Sequence, residues 1–144
     1  MATLKSDAVK DGIMFVDGPI GAVLCRSASF TGKPGNGDVL QMIPVPKGAM
    51  VVGYDLIWEA LAASTTVKIG DGDDDDRYAG TTAHTVTAAG AAHGVAQGYL
   101  YTADDTIDIT FGGAAQAADK TVKMNLYYKI VAGACEQENS AFKA

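Results

Sequence analysis

The chain has 144 residues, a formal net charge of −6 and 17 glycines, with 48% apolar and only 19% charged residues. The length suits one domain with a real core, and a composition rich in Gly, Ala, Thr and Val favours many short strands over a helical bundle. Lysines and arginines are scattered, which argues against nucleic acid, whose phosphates need clustered cations, and against an anionic membrane surface. The opening MATLKSDAVKDG lacks the apolar run of a secretion signal. No segment approaches the ~18 apolar residues of a membrane span. Synthesis in a reducing cytosol is expected. Cys25 and Cys135 show no CxxC and no framework spacing, so both read as unbridged small apolar side chains.

Residues 1–12 are polar and read as an N-terminal arm. Residues 13–16 form a short apolar run, ended by the turn Asp17-Gly18-Pro19. Residues 20–30 read as a strand with Val23 and Cys25 on one face, and TGKPGNG, 31–37, reads as a loop. A strand over 38–43 should leave the sheet interior where Pro44 and Pro46 flank Val45. The next stretch organises the chain. Met50, Val52, Tyr54, Leu56, Trp58 and Ala60 are apolar at alternate positions, which predicts one buried face. The alternation resumes with Thr65, Val67 and Ile69 inward, then breaks at Gly70-Asp71-Gly72. Residues 81–87 read as an edge-like strand, 88–94 as a small-residue loop, and 95–102 as a strand with Tyr99 and Tyr101 on one face. After a turn at 103–105, Ile107, Ile109 and Phe111 point in, with Thr106, Asp108 and Thr110 out. Residues 112–119 connect to a last strand with Val122, Met124, Leu126, Tyr128 and Ile130 inward. Residues 132–144 read as a C-terminal tail. The expected fold is an all-β antiparallel sandwich of jelly-roll type, about eight strands over 13–131 with extended terminal arms.

No catalytic, cofactor-binding or metal residue is assigned. Asp71, Asp73 and Asp75 alternate as in a calcium loop, but Asp76 and Thr82 stand where an EF-hand needs Gly and Glu. A different calcium geometry stays open; the plain reading is a solvated turn that deters stray strand pairing. Arg77 reads as its local counter-charge. His84 and His93 lack HxH or HExxH spacing and read as exposed loop residues. No GxSxG, GxGxxG or P-loop pattern is present. Trp58 lies on the buried parity. Tyr127 lies outward, where an aromatic suits a subunit contact.

The segments MIPVPKGAMVVGYDLIWEALAASTTVKIGDGDDDDRYAG, YLYTADDTIDITFGG and KTVKMNLYYKI, in that order, resemble small virion proteins of tailed bacteriophages. Those proteins are described as capsid cement (decoration) or minor head proteins, and the resemblance spans about residues 39–130. It implies a jelly-roll protein without enzymatic activity or cofactor, made in the host cytoplasm and placed on the capsid surface. Its partners would be the major capsid protein of an HK97-type lattice and other copies of itself. Two other functions are compatible with the residues: a neck, tail or fibre accessory, and a calcium-dependent carbohydrate-binding module. The module requires paired, exposed aromatics beside 71–76.

Overall fold

Period-two alternation gives this chain two sheets, and a computed structural model describes them over residues 1–10, 22–96 and 98–131. The strands are β1 (Thr3–Lys5), β2 (Leu24–Gly32), β3 (Val39–Val45), β4 (Ala49–Trp58), β5 (Thr66–Gly70), β6 (Gly90–Val95), β7 (Asp105–Gly112) and β8 (Lys120–Ile130), with one helical turn, α1 (Asp7–Lys10). One four-stranded sheet has the order β1-β3-β7-β5, the other β2-β8-β4-β6. Every pairing is antiparallel except β1 with β3. The fold is therefore an all-β sandwich. The readings at 13–16, 17–19 and 132–144, and that of Cys135, lie outside the described residues.

The core is the inward parity of both sheets. From one come Leu40, Val67, Ile69, Ile107, Ile109 and Phe111; from the other come Tyr54, Leu56, Trp58, Met124, Leu126 and Tyr128, all buried. Removing each large side chain from water stabilises the fold by about 1.5–3 kcal/mol. The expected inward positions on β5, β7 and β8 are all buried.

The first part of β4 departs from the expected parity. Its ladder with β8 shifts register between Val51 and Gly53. The extra residue inverts the phase, so Ala49 and Val51 are buried while Met50 and Val52 are not. Beyond the bulge, Tyr54, Leu56 and Trp58 point inward as expected. A second shift, between Gln41 and Ile43, lets Met42 and Ile43 both be buried. At Pro44 the chain leaves the sheet interior, as expected, but not the sheet. It continues in β3, because β1 pairs only Val39 to Gln41 and leaves that side of Pro44 without a neighbour needing its amide.

The segment 81–87 is not a strand; the strand is β6, where a loop was expected. The reason is steric. A Cβ at Gly94 would lie 2.0 Å from the Tyr54 ring, and one at Gly90 would lie 3.1 Å from Trp58. Position 94 therefore needs a residue without a side chain, and position 90 is tight for one. Residues 81–89 are instead irregular, held by buried Val86, whose carbonyl accepts the Leu61 amide, and by the Trp58 Nε1–H bond to the Ala88 carbonyl at 2.7 Å. Of the strand expected over 95–102, Val95 closes the β6 ladder opposite Gly53, and beyond it, among the described residues, one bridge remains, Met50 with Leu100. Cys25 is exposed rather than packed.

Residues 3–10 are stitched to the sandwich rather than projecting as an arm. Ser6 is buried, its hydroxyl donates to the Met42 carbonyl, and its amide donates to the Gln41 carbonyl. The Asp7 carboxylate accepts the Ser29 amide at 3.0 Å.

Candidate functional site

The acidic loop is the most chemically loaded feature, and it splits into a buried part and a wet part. The inward parity of Thr65, Val67 and Ile69 carries on through the end of β5 to Asp71. Asp71 is 4% exposed. A carboxylate there must be paired. Arg77 Nε reaches Asp71 Oδ2 at 2.5 Å, the Tyr101 hydroxyl donates to the same oxygen at 2.9 Å, and the Asp73 and Asp74 amides donate to Oδ1 at 3.1 and 3.0 Å. Burial alone would raise the Asp71 pKa; the Arg77 guanidinium, the Tyr101 hydroxyl and the two amides outweigh it and hold the carboxyl below the usual carboxylate range. Arg77 also stacks on Tyr99, 3.6 Å from its ring centroid. Arg77 is thus the counter-charge of one buried acid, not of the whole run.

Asp74, Asp75 and Asp76 put one oxygen each within 4.8 Å of one another at the surface. Asp75 also meets Lys68 at 3.0 Å. Three surface oxygens fall well short of the six to eight that Ca²⁺ takes. Asp71 turns inward, so the alternating Asp71, Asp73 and Asp75 do not converge as ligands.

Asp108 has outward parity on β7, yet it is only 4% exposed. It pairs with Gly70 across the ladder, and residues 71–75 fold over the cleft that it lines. Burial, with Asp105 and Asp71 nearby, pushes its pKa up to about 7, against the lowering effect of the Thr106 hydroxyl. A carboxyl whose pKa is raised by folding stabilises below its unfolded value near 3.8 and loses that contribution as pH rises through about 7. Asp108→Asn is therefore expected to be more stable than the parent at pH 8, by about 2 kcal/mol, with the gap closing towards pH 4. Urea midpoints at a series of pH values measure this. A gap independent of pH would show that Asp108 is not the titrating group.

A second polar group lies on the outer face of the other sheet. His93 Nδ1 meets Asp55 Oδ1 at 2.8 Å, and the Tyr127 hydroxyl donates to Asp55 Oδ2 at 2.6 Å. His93 is thus exposed, as expected, but stands on a strand. His84 is half-buried, its Nε2 2.8 Å from the Tyr54 hydroxyl, and burial holds its pKa below the ordinary value. Among the described residues the side-chain partners of the two histidines are Tyr54 and Asp55, not a serine or cysteine nucleophile. Tyr99 and Tyr101 do lie beside the acidic loop, as a carbohydrate-binding module would need. Tyr101 is buried, however, and Arg77 covers one face of Tyr99, so the pair offers no open stacking platform.

No protein-family profile and no curated protein matches the chain. Solved structures do. A chain of the capsid of Ralstonia phage GP4 superposes with a TM-score of 0.71 at 22% identity, over 88% of this chain and 97% of that one. A chain of the Cyanophage Pam1 capsid asymmetric unit superposes with a TM-score of 0.66 at 22% identity, over 82% of this chain and 91% of that one. At that identity the likeness is one of fold: the sandwich is shared with chains of these two phage capsids over most of their length.

Proposed function

We propose that the protein is a structural component of a phage virion, a cement or decoration protein that binds the assembled coat shell and stabilises it. The observation that carries this reading is the near-complete overlap with a capsid chain, 97% of which is covered. An overlap that complete fits a whole building block better than a borrowed module. The polar groups support the same reading, because the strongest of them are spent on holding the fold. Asp71 is saturated by internal donors, and Asp55 is spanned by His93 and Tyr127. The proposed partner is the major coat protein of an HK97-type lattice, with many copies on the outer surface and no catalytic step.

The test is binding to purified coat shells that lack this chain. Expected is saturable co-sedimentation, density at repeated lattice positions by electron microscopy, and a raised shell-disruption temperature. Density confined to the neck or tail would replace cement by an accessory role there, and absence of particle binding would end the virion reading.

A further inference from the structure

The two sheets have four outer strands, β1, β5, β2 and β6. Exposed strand edges invite pairing with other chains, so proteins shorten, charge or cover them. Three of these edges are guarded in such ways. β1 is three residues long. On β2 the Ser29 amide is taken by Asp7. On β5, Ile69 is bridged to Ala79, and the acidic loop folds back beside Lys68.

Among the described residues β6 has no such guard. Its sequence, Gly-Ala-Ala-His-Gly-Val, holds no lysine, proline or carboxylate, and its ladder with β4 runs without a register shift. The Ala96 amide points to the Val52 carbonyl, so by antiparallel alternation Gly94, Ala92 and Gly90 also face β4. The amides and carbonyls of Ala91, His93 and Val95 then face away, and none has a backbone partner among the described residues. Apolar side chains flank the edge: Val95 is 72% exposed, Leu100 40% and Val52 36%.

We propose that β6 pairs antiparallel with β6 of a second copy, about a two-fold axis at His93, joining two four-stranded sheets into one. The outward groups at 91, 93 and 95 are symmetric about 93, so the edge complements itself. The two-fold places Ala91 opposite Val95, where the small residue leaves room for the larger one. Charge favours the same occupant. Copies with a net charge of −6 repel over most of their surface. Asp55, opposite His93 in the ladder, has both oxygens engaged by His93 and Tyr127. β6 itself offers a charged strand no lysine, arginine or carboxylate to pair with; a neutral, small-residue strand fits, and β6 is one. This deepens the virion reading, on which it rests for the many copies that meet on one particle. Its test in solution is separate from shell binding, so either idea can fail alone.

The test is sedimentation and amide hydrogen exchange of the full chain. Ala91→Pro removes an outward amide without touching the β4 ladder. Val95→Lys adds a guarding charge. The parent is expected to be a dimer, with the amides of Ala91, His93 and Val95 protected. Both variants should keep the parent's far-UV spectrum while self-association weakens by about tenfold or more, with those amides exchanging fast in Val95→Lys. Thr31→Lys, on the guarded β2 edge, should leave the dimer intact. A parent that stays monomeric at high micromolar concentration overturns the proposal. So does a dimer that survives Val95→Lys with the three amides unprotected. Protection of those amides only on coat shells would assign the edge to the coat protein instead.

Discussion

Gly70→Ala is expected to lower stability by about 3 kcal/mol, read as a lower denaturant midpoint. A Cβ at position 70 would lie 2.0 Å from the Asp74 carbonyl oxygen and 2.4 Å from the Asp75 carbonyl carbon. Those are backbone atoms and cannot rotate aside, so the loop must lift. The lifted loop withdraws the Asp73 and Asp74 amides from Asp71 and opens the cover over Asp108. One methyl group thus disturbs two buried acids. Gly80→Ala is the control: nothing lies within 4 Å of its added Cβ. Its effect should stay within about 0.5 kcal/mol. Equal stability of the two variants would mean that the acidic loop does not press on β5.

Arg77→Met should cost about 3 kcal/mol at pH 7, since it leaves a buried carboxylate without its cation. The side chain of Asp71 is 1% exposed, so solvent cannot replace the guanidinium. The sign of the pH dependence follows from the pKa shift. In the parent, Asp71 is held low, so it stabilises above the ordinary carboxylate range and loses that contribution as pH falls through its folded value. In the variant, burial prevails and Asp71 protonates in weak acid, where the neutral acid tolerates its site. The deficit should therefore shrink as pH falls towards about 4. Adding Asp71→Asn to the variant should recover most of the loss at pH 7. Chemical denaturation across pH decides between causes, because a constant deficit would point to lost stacking on Tyr99 rather than to charge.

Strands whose packing is uniform along their length were legible in the residues alone. β7 and β8 alternate without interruption, so Ile109 and Met124 could be placed inside from parity. β4 was legible only beyond Gly53, because apolar residues at both Val51 and Val52 hide which of them is the extra one in the bulge. The segment 81–96 inverted expectation for a tertiary reason. Thr and Val at 81–87 have strand propensity, whereas Gly90 and Gly94 do not, yet the rings of Trp58 and Tyr54 select the residues without side chains. Asp71 carried a usable signal, since it extends the odd-numbered inward series of β5. Asp108 carried none: its cover comes from residues more than thirty positions earlier, and local alternation places it outside. The partners of Asp55 are equally distant, His93 on β6 and Tyr127 on β8.

Tyr101 is tied to the Ala49 carbonyl through its amide and to Asp71 through its hydroxyl. Ala49 begins a strand of one layer and Asp71 directly follows a strand of the other, so this residue is a cross-brace between them. Oily contacts resist separation but have no preferred direction of slip; a hydrogen bond to a carboxylate has both direction and length. Shear applied to one layer along the other therefore meets a directional strut at Tyr101 as well as the packed core.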